Sequence, residues 1–148
     1  MSRLLVAFDG SGPSEAALAY AARRAAVAGD EVVLVTVVPS SLQESFLSKM
    51  LLPGVDLSKV VGAGSFAENA RKRLEAAAAP LKEKKIKVSV EVRAGESAEM
   101  ILVAARELGA HEIILGHKSY EQLANFPIGN VADKVVRHAP VTVTVVRP

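Results

Sequence analysis

The residues from which chemistry can be argued lie in the last third of the chain. Gly116 closes the apolar run Glu112-Ile113-Ile114-Leu115, and Gly129 stands directly before Asn130-Val131-Ala132-Asp133-Lys134-Val135-Val136, whose apolar spacing suits a helix. A glycine at a strand end lets backbone approach a ligand closely, and one at a helix start exposes free N–H groups to an anion. A phosphate group needs both. The same glycines also serve a chain that merely has to turn, and by glycine count alone that turning role is the favoured reading. Pro140 then opens Val141 to Val146, an alternating strand.

The elements that must position these residues follow from apolar runs and their punctuation. Arg3 to Phe8 is a short apolar run suited to a strand buried on both faces. Gly12 as cap, Pro13 at the first position and Glu15 in the first turn predict a helix rich in Ala that stops at Gly29-Asp30. Glu31 to Val38 is the second strand, ended by Pro39. A helix from Ser65 carries Phe66, Ala70, Leu74, Ala77 and Leu81 at helical spacing, with Pro80 expected to kink or end it. Lys82 to Lys87 is a basic cluster expected to be a solvated helix end. Lys87 to Arg93 alternates and predicts an edge strand, and Ser97 is expected to cap a helix that buries Ile101, Ala104, Ala105 and Leu108.

The order β-α-β-α-β-α-β-α-β predicts an α/β fold: one doubly wound, five-stranded parallel sheet in the order 3-2-1-4-5, with helices on both faces. Its length of 148 residues predicts a single domain, interrupted by an irregular insertion at about 40–64. Within that insertion Leu42, Phe46, Leu47 and Met50 could share one face of a short helix; a lid, a partner-binding segment and disorder are equally open. In a sheet of this order the switch point lies between strands 1 and 4, where open α/β sheets bind ligands. Asp9 and Gly10 fall there, as do Gly116 to Ser119. Topology and glycines therefore point to one place.

Composition narrows the chemistry. There is no Cys, which excludes disulfides, thiolate metal sites and cysteine nucleophiles. The 18 basic and 16 acidic residues nearly balance, and no basic run is interleaved with aromatics, so nucleic acid is not a leading partner. No apolar run approaches the roughly 20 residues of a membrane span. The first strand begins at once, leaving no room for a cleavable leader, and the cytoplasm is the expected compartment. The P-loop pattern is absent, and Gly10-Ser11-Gly12-Pro13-Ser14-Glu15 has Glu15 where a dinucleotide fingerprint needs its third glycine. A phospho-receiver domain needs an aspartate after strand 3, where this chain has Arg93-Ala94-Gly95. His111, His117 and His138 have no metal spacing, and Ser11 and Ser14 have no evident base. No catalytic residue and no metal ligand is assigned, so the chain is not expected to be an enzyme.

The chain resembles the universal stress protein family over essentially its whole length. The resemblance is carried by Leu4 to Ser11 with Ser14 and Ala17-Leu18, by Gly109 to Gly116, and by Ile128 to Val141. It implies one universal-stress-protein-like domain over 1–148. Members of the family that bind ATP carry G-x2-G-x9-G-[ST]; here the string is Gly116-His117-Lys118-Ser119, nine residues, then Gly129-Asn130. The spacing matches, while Ser119 replaces a glycine and Asn130 a small hydroxyl. Carried over by position, the resemblance implies that Asp9 contacts the ribose or base, and that Val37 lines the adenine. Leu115 and Gly116 would flank the nucleotide, and Gly129, Asn130 and Val131 would hold phosphates. Apart from the resemblance, Lys118, beside Ser119, could meet a phosphate or be a solvated loop lysine. The competing readings are a turn carboxylate for Asp9 and a core residue for Val37. Two functions stay open: a stress-response or signalling protein that binds ATP without turning it over, and a dimeric partner-interaction module without nucleotide. The resemblance also implies a homodimer paired through the edge strand 141–146.

Overall fold

The computed structural model describes residues 1–38, 40, 65–117 and 130–148. The short Val-, Ile- and Leu-rich runs are strands, and the Ala-rich stretches between them are helices. In chain order they are β1 (Arg3–Ala7), α1 (Gly12–Ala28), β2 (Glu31–Val38), α2 (Ser65–Glu83), β3 (Val88–Ala94), α3 (Ser97–Glu107), β4 (Glu112–Gly116), α4 (Asn130–His138) and β5 (Thr142–Val146). All strand pairs are parallel, in the order β3-β2-β1-β4-β5. Leu5 stands opposite Val33 on one side and Ile113 on the other, so the three central strands are in register through their most apolar residues.

Those central runs are continuously apolar because both faces of the sheet are covered. On one face Leu4, Val6, Leu34 and Ile114 pack with Ala17, Ala21 and Ala25 of α1 and with Leu74, Ala78 and Leu81 of α2. On the other, Leu5, Val33, Val35, Ile113 and Leu115 pack with Ile101, Ala104 and Ala105 of α3 and with Ala132 and Val135 of α4. A fully buried Leu or Ile stabilises by about 1.5–3 kcal/mol. The central strands, whose middle residues are sealed, therefore carry more of the core than the half-buried edges β3 and β5. The edge position expected for the alternating third strand is where β3 lies.

Two local expectations are corrected, and a third is narrowed. Ser11, not Gly12, caps α1: its hydroxyl accepts the Ser14 N–H at 3.4 Å, and its carbonyl accepts the Glu15 N–H at 3.0 Å. Glu96, not Ser97, caps α3, because its longer carboxylate reaches two N–H groups at once, those of Ala98 and Glu99. Pro80 does not end α2, which continues to Glu83. A proline so close to a helix end removes one hydrogen bond where the ladder is about to finish. The finish itself is a Schellman motif: the Ile86 N–H reaches the Leu81 carbonyl at 3.0 Å and the Lys85 N–H that of Lys82 at 3.0 Å. Lys85 takes the left-handed position at φ 62, and Ile86 and Leu81 are both buried beneath it. The basic cluster is accordingly a helix end, tied by Lys82 to Glu75 at 3.6 Å and by Lys87 to Glu31 at 3.8 Å.

The expected helical face of Leu42, Phe46, Leu47 and Met50 lies outside the described residues, as do Lys118, Ser119 and Gly129. Among the described residues no helix is long and apolar enough to cross a membrane.

Candidate functional site

Parallel strands alternating with helices put every helix N-terminus at the carboxyl end of the sheet. At that end β1 and β4 diverge, since β1 leads into α1 on one face while α4 lies on the other. The gap is a pocket of about 160 Å³. Its floor is the ends of β1, β2 and β4, through Ala7, Phe8, Val35, Val37 and Leu115. Its walls come from the first turns of three helices: Ser14 of α1, Ser97 of α3, and Asn130, Val131 and Ala132 of α4.

Six of the residues singled out in the sequence line this one pocket: Asp9, Val37, Leu115, Gly116, Asn130 and Val131. They come from β2, β4, α4 and the turn after β1, separated by up to most of the chain. Asp9 is exposed, and its Oδ1 accepts the Ser11 N–H at 2.9 Å, so it does make the turn bond of the competing reading while also facing the pocket. Val37 is half-buried and packs against the α3/α4 side of the core, again serving both roles. Asn130 is exposed at the first position of α4. Gly116 lines the pocket and is also a close-approach point within the protein. A Cβ there would lie 2.2 Å from the Pro13 carbonyl oxygen and 2.3 Å from its carbon, so the backbone that needs the missing side chain is that of α1.

Sequence reasoning passed over Phe8, Thr36, Ser97 and Ile101 as site residues, although each stands at a strand end or in a helix's first two turns. Thr36 is buried and Ser97 half-buried, both on the wall, which gives the pocket hydroxyls beside its apolar floor. Ser14 is buried, and its hydroxyl donates to the Ser11 carbonyl at 2.8 Å, a helix-start role that accounts for its lack of a base. Of the histidines, His111 takes the Arg3 N–H on Nδ1 at 3.0 Å at the amino ends of β1 and β4, away from the pocket, and His138 ends α4. His117 follows β4, with its N–H bonded to the Val146 carbonyl at 2.8 Å.

The α3 and α4 walls are joined by charge. The Glu96 carboxylate lies 3.6 Å from Lys134 Nζ. The Glu99 N–H, with help from that of Ala98 and from Lys134, holds the Glu96 carboxyl below the usual carboxylate range against the opposing effect of desolvation. A carboxyl lowered on folding stabilises above its unfolded value of about 4.3, and that contribution is lost as the pH falls through its folded value. Glu96→Gln is therefore expected to cost roughly 0.5 kcal/mol at neutral pH, a capping figure discounted for exposure. The difference from the parent should close as the pH falls below about 4. Urea denaturation at the two pH values measures it, and an undiminished gap in acid contradicts the assignment.

A pocket of this volume matches the size of a small aromatic ring, since a cavity of about 150 Å³ takes up benzene. Apolar strand ends, hydroxyls and helix N-termini surround it. The model of the universal stress protein family matches residues 1–147. The chain belongs to that family. A solved family member from Burkholderia pseudomallei is 31% identical, with 98% of this chain and 95% of that chain covered and a TM-score of 0.73. The Archaeoglobus fulgidus universal stress protein solved in complex with dAMP is 19% identical, covering 99% and 98%, with a TM-score of 0.67. An Arabidopsis thaliana family protein solved with AMP bound is 12% identical, covering 99% and 92%, with a TM-score of 0.68. No curated protein matches the chain. At these lower identities the likeness is one of fold, and the sheet order predicted from the sequence is the order observed.

Proposed function

We propose that this universal stress protein binds an adenine nucleotide, ATP by the spacing of its glycines, and acts through binding rather than turnover in a cytoplasmic stress response or signalling role. The observation that carries the reading is the meeting of Asp9, Val37, Leu115, Gly116, Asn130 and Val131 in one pocket at the sheet's switch point. The base would sit on the apolar strand ends near Val37, with the ribose towards Asp9. The phosphates would leave towards the start of α4, whose first-turn N–H groups favour an anion. Lys118, Ser119 and Gly129 would complete the phosphate side. Relatives solved with dAMP and AMP support an adenine-based ligand in this fold. Release of adenine nucleotide on denaturing the purified protein, or heat on titrating ATP into it, tests the reading. No nucleotide and no heat at millimolar ATP would leave the partner-interaction module as the function.

The same domain is proposed to pair with a second copy through β5. Among the described residues that strand is an edge, bonded to β4 alone, and its Thr142-Val143-Thr144-Val145-Val146 carries no charge. An uncharged edge presents unpaired N–H and C=O groups that a second strand can take up. Sedimentation is expected to show a dimer at micromolar concentration, and a charge placed outward at Thr142→Lys is expected to weaken it. A monomer at that concentration contradicts the pairing.

A further inference from the structure

Across the pocket mouth from α4, the turn that carries Asp9 is gripped by a residue from another element. Arg73, on the exposed side of α2, donates from Nη1 to the Asp9 backbone carbonyl at 3.2 Å, joining residues 64 apart in sequence. Its stem is engaged as well. Gly10 has φ +85, and a Cβ placed on it would lie 3.1 Å from Arg73 Cδ. The guanidinium thus holds one peptide group while the methylenes lie against the next residue. The turn is closed internally by the Ser11 N–H on Asp9 Oδ1 at 2.9 Å and continues into α1 through the Glu15 N–H on the Ser11 carbonyl.

Arg73 does not line the pocket, whereas Asp9 does. A cation outside the pocket lining that bonds a lining residue's backbone acts on the pocket through that residue. The bonds within the turn tie it to itself and to α1, and at Gly10, whose left-handed backbone is permissive, Arg73 adds a tie from another element. We infer that Arg73 is a positioning residue, which fixes the β1–α1 turn so that the Asp9 carboxylate is presented to the pocket. Its bearing on ligand affinity rests on the adenine-nucleotide reading above.

The inference separates two kinds of contact. A residue that acts through Asp9 serves the ribose and base, which adenosine and ATP share. A residue that meets phosphate directly serves ATP alone. Arg73→Ala is therefore expected to weaken adenosine and ATP by the same factor, about fivefold for one solvent-accessible hydrogen bond. Arg73→Lys, which keeps a donor and a stem, should recover part of both. The measurement independent of ligand is backbone amide exchange in the nucleotide-free protein. In Arg73→Ala the Ser11 and Glu15 amides should exchange about fivefold faster, while those of Leu5 and Ile113 in the central strands stay as they were. Unchanged exchange at Ser11 and Glu15 overturns the inference whatever the ligand result. A loss confined to ATP also overturns it, in favour of a direct phosphate contact. If the parent protein binds neither adenosine nor ATP, the nucleotide reading falls, and the exchange measurement still decides whether Arg73 fixes the turn.

Discussion

Gly116→Ala is expected to lower folding stability by about 2–3 kcal/mol, at the upper end of what overpacking costs. The added Cβ would meet Pro13 oxygen at 2.2 Å and Pro13 carbon at 2.3 Å, and these are backbone atoms that cannot rotate aside. Relief requires the start of α1 to lift away from the end of β4. That start is held by the Ser11 cap and by the buried Ser14 hydroxyl on the Ser11 carbonyl, so lifting it breaks bonds inside the first turn. Gly12→Ala is the natural control, because a Cβ at Gly12 meets nothing within 4 Å. Its effect should stay within roughly 0.5 kcal/mol, since only helix propensity changes. Urea denaturation of both variants decides the matter. A Gly116→Ala loss no larger than that of Gly12→Ala would show that α1 yields freely at this point.

The same glycine marks where sequence reasoning ran out. Gly116 was legible as a close-approach point, because a glycine that ends an apolar strand asks for a reason. The identity of the approaching atom was not, since Pro13 and Gly116 meet only once the sheet order is set. Local chemistry was legible where one residue type had one role: Gly29 and Gly109 end α1 and α3 with left-handed backbone. It failed where two neighbours competed for a role. Glu96 displaced Ser97 as a cap because its carboxylate spans two N–H groups, and Ser11 displaced Gly12 because a hydroxyl accepts a bond that glycine cannot. Pro80 left two outcomes open because its cost depends on where in the helix it falls, and the helix runs on to Glu83. Sheet order was legible for a simpler reason. Five apolar runs, each separated by a helix, leave few closures with right-handed crossovers.

The pocket divides in the same way. Asp9, Val37, Leu115, Gly116, Asn130 and Val131 could be named in advance because they sit at strand ends and a helix start, where the fold rule and the family pattern agree. Thr36, Ser97 and Ile101 could not be singled out from their neighbours, because a hydroxyl or an isoleucine near an element end has no signature of its own. Arg73 was the least visible. It stands in the middle of a helix, within Arg71-Lys72-Arg73, and only the packing of α2 over β2 and β3, which brings Arg73 to the turn after β1, selects it over the other two.

Gly129→Val is expected to abolish ATP binding, and Ser119→Gly to strengthen it. On the proposed reading, the family pattern assigns both residues to the phosphates. A valine next to Asn130 would place two methyl groups where a phosphate must approach the first-turn N–H groups, and the helix start could then no longer serve as an anion site. Binding should fall by at least about a hundredfold, the size of losing a charge-assisted contact and its geometry together. Ser119 stands where the pattern G-x2-G-x9-G-[ST] has its second glycine. If the site requires a left-handed backbone there, serine costs about 1 kcal/mol that Ser119→Gly restores, a gain of roughly fivefold. Asn130, which replaces a small hydroxyl, keeps an amide donor in the same place. Calorimetry on the parent and both variants distinguishes the outcomes. Opposite shifts from the two variants would tie ATP to this loop. Heat from the parent that neither variant alters would put the phosphates elsewhere, and no heat from any of the three at millimolar ATP would mean that the pocket is vestigial and that the protein acts through its partners.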